Sequence, residues 1–204
     1  MRKKKLSFAL GLVVALLSIA STVFAEAQVE ETAPNFSLKD STGTEHALSD
    51  YQNGVVVLEW INPECPFVKK HYNSNNMQKL QKTYTAQGVA WFSIDSSAAG
   101  KQGHLTADEA NAWKQQQGAA QTAILLDPEG AVGKLYGAKT TPHMFVINTG
   151  GTLVYAGAID DTPSADPGDI AASTNYVAQA LDAVLAGESV AVSSTKSYGC
   201  SVKY

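Results

Sequence analysis

Four short apolar runs, at 55–58, 89–94, 123–126 and 144–147, are the strongest constraint on how this chain folds. Each is too short for a helix, is rich in β-branched or aromatic residues and is apolar at nearly every position. That pattern predicts strands covered on both faces. Helical spacing lies between the runs: Val68 and Tyr72, then Met77, Leu80 and Tyr84, then 106–117, then Val132, Leu135 and Tyr136. The polar cluster Asn73-Ser74-Asn75-Asn76 breaks the first of these stretches. Thr106 and Glu109 have capping-box spacing. Strands alternating with helices demand a mainly parallel sheet with helices on both sides. Residues 36–40 and 45–48 read as a hairpin around Ser41-Thr42-Gly43. Residues 153–156 follow the turn Asn148-Thr149-Gly150-Gly151 and add an antiparallel strand. A final helix carries Tyr176, Val177, Ala180, Leu181, Val184 and Leu185 on one stripe and stops at Gly187. The expected class is α/β, a central mixed sheet flanked by helices with an N-terminal β-hairpin extension.

The first 25 residues have a different composition. Arg2, Lys3, Lys4 and Lys5 precede an apolar stretch that ends in Val23-Phe24-Ala25, the layout of a cleaved export signal. An uncleaved anchor is the alternative, since the stretch is nearly long enough to span a bilayer. Ser18, Ser21 and Thr22 dilute it just before the cleavage site, which favours cleavage. The expected divisions are a signal at 1–25, one domain at 26–187 and a tail at 188–204. Cleavage leaves eleven basic against nineteen acidic residues, a net charge of −8, and no arginine, because Arg2 is the only one. Without a basic stripe to neutralise phosphates, a nucleic-acid partner is not expected. Residues 26–33 are polar and read as a flexible lead-in, and no membrane contact is expected of the mature chain.

Chemistry centres on Trp60-Ile61-Asn62-Pro63-Glu64-Cys65-Pro66-Phe67. A strand delivers Cys65 to the first turn of a helix, with Pro66 where a missing N–H costs nothing. Free N–H groups and the helix dipole favour a thiolate there, and the sulfur is expected to be exposed at the mouth of the sheet. On the residues alone, an inert thiol behind a core strand fits equally well. Cys200, in Tyr198-Gly199-Cys200-Ser201, is the only other cysteine. Two cysteines allow a bridge, two independent thiols or a redox couple. A permanent bridge over so long a loop would stabilise the fold by about 4–5 kcal/mol in the chain-entropy model. Gly199 and Ser201 flank Cys200 on a tail expected to be mobile, so a redox couple can form by its approach to Cys65.

Ala33-Pro34-Asn35-Phe36, the strand followed by Cys65, Asp127-Pro128-Glu129-Gly130 and Thr141-Pro142-His143-Met144-Phe145 resemble the thioredoxin-like superfamily in its redoxin branch. That branch is peroxiredoxin-like, of AhpC/TSA type. Gly157-Ala158-Ile159-Asp160-Asp161 and Gly199-Cys200-Ser201 are similar to markers of a bacterial group within it that has one active-site cysteine. The resemblance implies a thioredoxin-like fold and a thiol-based oxidoreductase. It implies Cys65 as nucleophile, a cis Pro142, and Thr141 pairing its backbone with an extended substrate. Trp60 and Pro66 are expected beside that substrate, which would be a disulfide or thiol protein, a small thiol or a peroxide. No organic cofactor or metal is expected.

Departures from the family pattern sharpen the expectation. Val68 stands where a dithiol motif has its second cysteine, so only Cys200 is left to resolve Cys65. Asn62 replaces the Thr or Ser of a peroxidatic site, and the arginine that holds peroxide is missing. Glu64, Lys69 and His71 are lesser candidates for tuning the thiol. A rival reading makes the chain a binding module or copper chaperone, with Cys65, His71 and His143 as ligands. The spacing of Asp160, Asp161, Asp166 and Asp169 fits no calcium loop.

Overall fold

The computed structural model describes residues 26–204, so the expected signal segment lies outside the described residues. The hairpin forms from β1 (Ser37–Lys39) and β2 (Glu45–Ala47). The central five-stranded sheet has the order β5-β4-β3-β7-β8. Its members are β3 (Val56–Trp60), β4 (Ala90–Asp95), β5 (Ala123–Leu126), β7 (His143–Ile147) and β8 (Leu153–Gly157). β3, β4 and β5 run parallel, and β7 and β8 continue the sheet antiparallel from β3. The mixed sheet and hairpin extension match the expected thioredoxin-like class. A separate two-residue pair joins β6 (Thr140–Thr141) to β9 (Cys200–Ser201) in the tail.

Strand parity sorts the core. Val57, Trp91, Met144, Val146 and Tyr155 face a layer built from α1 (Pro66–Asn73), α2 (Asn76–Thr85) and α5 (Tyr176–Leu185). Val56, Leu58, Trp60, Phe92, Ile94 and Phe145 point the other way, toward Val132 and Leu135 of α4 (Ala131–Leu135) and the N-terminal segment. α3 (Ala107–Gln117) brings Ala110 and Trp113 against Ile61 and Ile124. The break expected at 73–76 is real: Asn75 sits at φ 59° and separates α1 from α2. The expected capping box also forms, with Thr106 and Glu109 bonded to each other's backbone N–H.

Two expectations fail, both at chain ends. The lead-in is part of the sheet layer. Glu30 N–H bonds to Leu153, Leu153 N–H to Glu31 and Ala33 N–H to Gly151. The tail is likewise docked along its length. Residues 193–195 run beside β8, where Thr195 Oγ1 accepts from Ala158 N–H and shares a hydrogen bond with Tyr155. Farther along, Val202 N–H donates to Lys139, Ala98 N–H to Lys203 and the Tyr204 hydroxyl to Ala138. Polar side chains and a lack of periodicity suggested mobility. Backbone hydrogen bonds, which leave no trace in composition, fix both segments.

Candidate active site

Cys65 caps α1. Its N–H donates to Asn62 C=O, its C=O accepts from Lys69 N–H, and Pro66 opens the helix. Asn62 shapes the approach: its side chain accepts from Glu64 N–H at 2.8 Å and donates to Gln102 C=O at 3.0 Å. Gly103 packs so closely on that amide that a Cβ there would come within 2.2 Å. Asn62 therefore ties a loop to the turn, using one amide N–H and one lone pair of its oxygen.

The Thr141–Pro142 bond is cis, as the resemblance implied. The Cys65 thiol lies against it and donates to the Thr141 C=O at 3.0 Å. The outer side of the same residue is taken by the protein's own tail, because Cys200 pairs antiparallel with Thr141 and Ser201 with Thr140. The edge expected to receive an extended substrate thus receives residues 200–201. Gly199 makes the approach possible. At φ 134° it packs on Thr141, and a Cβ would lie 2.1 Å from that carbonyl oxygen. Only glycine fits there.

Both cysteines are free, and both meet at Thr141: the Cys65 thiol bonds its C=O and Cys200 pairs with it in register. Burial opposes ionisation of Cys65, but the polar groups of Thr141, Cys200 and Val68 that favour a thiolate outweigh it, and its pKa is lowered from the ordinary thiol value. The Thr141 hydroxyl is buried without a hydrogen-bond partner, so it is free to donate to a thiolate. Cys200 shifts the other way, up to about 11, through burial, its hydrogen bond to Cys65 and the charge on Cys65. Of the two, Cys65 is therefore the thiol that ionises first. The rate of alkylation of Cys65 should accordingly reach half its maximum below the pH of an ordinary thiol. In Cys200→Ala, which removes the side-chain donor, that midpoint should rise. A midpoint above the ordinary thiol value in the native protein would contradict the hydrogen-bond assignment.

Three expectations about the site need correction. Cys65 is only 1% exposed, because the tail covers it, so the sulfur is not open to solvent. Trp60 does not line the site. It is fully buried on the opposite sheet face, packed on Tyr136 and Phe145, with its indole N–H on Ser96. Strand parity dictates this, since Trp60 shares the face of Val56 and Leu58. The third correction concerns His71, which supplies no positive charge to the thiolate. Burial lowers His71 to about 4 despite Asp160, and burial together with Lys139 lowers His143 to about 4. Pro66 remains exposed at the rim, and Glu64 and Lys69 are exposed as well. Cys65, His71 and His143 do not assemble a metal-holding group among the described residues.

Two buried polar groups escaped sequence reading. Glu59, six residues before Cys65 on β3, accepts from Tyr72, Gln81, Trp91 and Ser93 inside the core. Burial raises its pKa, while those four donors oppose the rise. An acidic residue in an otherwise apolar strand was the available signal. The second group joins Lys70, His71 and Asp160 to Tyr198 of the tail. Asp160 belongs by sequence to an acidic loop before the last helix, yet its side chain is almost fully buried.

The comparisons with known proteins follow this geometry. The model of the AhpC/TSA family matches residues 29–156. The chain belongs to the AhpC/TSA family. It carries the thiol-based redox role of that family on a thioredoxin-like fold. Among solved structures, a hypothetical protein of Sinorhizobium meliloti is 28% identical, with a TM-score of 0.76 over 88% of this chain and 96% of its own. An uncharacterized conserved protein of Geobacillus kaustophilus is 26% identical, also at 0.76, over 94% and 98%. A structure named as a candidate thiol:disulfide interchange protein DsbE of Chlorobium tepidum is 25% identical, with a TM-score of 0.52 over 64% and 85%. No match is found among curated proteins. Asp160 and the cysteine tail lie beyond the residues matched by the AhpC/TSA model.

Proposed function

We propose that this AhpC/TSA protein is an exported thiol oxidoreductase that exchanges disulfides through Cys65 and resolves them with Cys200 of the same chain. The carrying observation is the placement of two free cysteines at one residue, Cys65 bonded to the Thr141 C=O and Cys200 paired in register with Thr141, with their pKa values pushed apart. The Cys65 thiolate attacks one sulfur of a substrate disulfide. A Cys65–substrate disulfide forms, and the other substrate sulfur leaves as thiolate and takes up a proton. That step consumes the charge on Cys65, which is one reason Cys200 resists ionising. Cys200 then loses its proton more readily, attacks Cys65 and releases the second substrate thiol. Two electrons pass to the substrate, and the protein is left with a Cys65–Cys200 disulfide for an external dithiol to reduce.

Disulfide exchange fits better than peroxide reduction for two reasons. Asn62, which holds the turn, stands where a peroxidatic site has Thr or Ser, and no arginine stands among the described residues. The edge at Thr141 also already accepts an extended cysteine-bearing segment, residues 200–201. The DsbE-like structural neighbour points to the same chemistry. Export rests on the basic, then apolar start of the sequence. No described helix is long and apolar enough to cross a membrane.

Trapping tests the scheme. Cys200→Ser incubated with oxidised glutathione or a disulfide-bonded protein should stop at a mixed disulfide on Cys65, visible by intact mass. The native protein should pass through to the internal bridge. A Cys200→Ser variant that turns over like the native protein would sink the resolving role.

A further inference from the structure

We propose that Tyr198 is the positioning residue of the resolving step, its phenol fixed by the buried Lys70–His71–Asp160 group so that Cys200 stays on Cys65. The proposal rests on the reading of Cys65 as nucleophile and Cys200 as resolving thiol. Lys70 Nζ lies 3.5 Å from Asp160 Oδ2 and donates to Thr162 C=O at 3.1 Å. His71 Nε2 lies 3.9 Å from the same carboxylate oxygen. These side chains are almost fully buried, although burying charges is costly and few interiors tolerate it. The cluster is completed from the tail. The Tyr198 hydroxyl donates to Asp160 Oδ1, with His71 Nε2 at 3.5 Å.

The Tyr198 ring is fixed as well. Its edge meets Phe67, two residues after the nucleophile, at a centroid distance of 5.8 Å, and Lys70 Nζ lies 5.8 Å from its centre. α1 therefore presents Cys65 at its start and, one turn later, the anchor for the tail that carries Cys200. Gly199 is the only residue between that anchor and Cys200, and it is pressed on Thr141. The tail carries two kinds of fastening around Cys200. Val202 and Lys203 use backbone hydrogen bonds, and Tyr204 reaches Ala138 with its hydroxyl. Only Tyr198 binds through a buried charged group built into the helix of the nucleophile. A thiol on a loose tether reaches its target at an effective concentration of about 1 mM, whereas an oriented pair can exceed this by orders of magnitude.

The step under test is attack of the Cys200 sulfur on Cys65 in a Cys65–glutathione disulfide. The Cys65–Cys200 bond forms, glutathione leaves as thiolate, and the Cys200 proton goes to solvent. The full chain, reduced and mixed with oxidised glutathione, is quenched in acid at intervals and weighed intact. Native protein should show the internal disulfide with little adduct. Tyr198→Phe keeps the ring, and Asp160→Asn keeps the shape of the carboxylate. Each should accumulate adduct, with resolution slowed about tenfold or more, while adduct plus disulfide together form no more slowly than in native protein. Tyr204→Phe, which loosens the tail beyond Cys200, should resolve at the native rate. The proposal is overturned if both cluster variants, folded by near-ultraviolet circular dichroism, resolve as fast as native protein. It is equally overturned if Tyr204→Phe slows resolution as much as they do, since any loosening would then suffice. A native protein that forms neither adduct nor bridge would remove the underlying scheme instead.

Discussion

Cys65→Ser is expected to lose at least about a thousandfold in disulfide-exchange rate while staying folded. The hydroxyl keeps the hydrogen bond that the thiol makes to Thr141 C=O, and serine is an acceptable helix N-cap, so the cost in stability is small. Chemistry fails for a different reason. An alcohol does not ionise near neutral pH, and the donors that lower the Cys65 pKa, led by the Thr141 side chain, cannot make up so large a difference. Cys200 cannot substitute. Its pKa is raised by burial as well as by its neighbour, and it lies in a two-residue strand of the tail and caps no helix. Insulin or oxidised-glutathione reduction followed by thiol release measures the effect. Residual activity within tenfold of native would mean that another group carries the reaction.

Gly199→Val should have the second largest effect, and in the opposite sense for access. A side chain at φ 134° is strained by about 1–3 kcal/mol even in open space. Here its Cβ would also fall 2.1 Å from the Thr141 oxygen and 2.8 Å from the carbonyl carbon, both backbone atoms of the site. The tail must lift from the Thr140–Thr141 edge, taking Cys200 with it. Cys65, 1% exposed beneath the tail, should then alkylate at least about tenfold faster. Formation of the internal disulfide should fall by about a hundredfold or more, since the thiols are no longer held in contact. The main core clusters contain neither residue of the displaced β9 among their buried members, so cooperative unfolding should persist. Alkylation at the native rate would show that the tail does not shield the sulfur.

These effects converge on the part of the molecule that was least readable from sequence. The sheet was legible because each strand contributes apolar residues to both faces, and α5 because its stripe repeats at helical spacing. Cys65 was legible as a helix cap because Pro66 follows it. The tail was not, since β9 is two residues long and is held by backbone groups and one glycine. Composition records neither. Asp160 looked like a loop acid because nothing local marks its partners: Lys70 is 90 residues earlier and Tyr198 is 38 later. Trp60 shows the reverse error. Its position just before the cysteine suggested contact with substrate, whereas strand parity turns it to the far side of the sheet.

The most direct test of the account is a redox titration of the native chain between reduced and oxidised dithiothreitol, with free thiols alkylated and counted by intact mass at each point. The account predicts one reversible two-electron step in which Cys65 and Cys200 lose their free thiols together, forming a single internal bridge without mixed or intermolecular species. Two thiols that oxidise independently, or a bridge that the reductant cannot open in the folded protein, would contradict it.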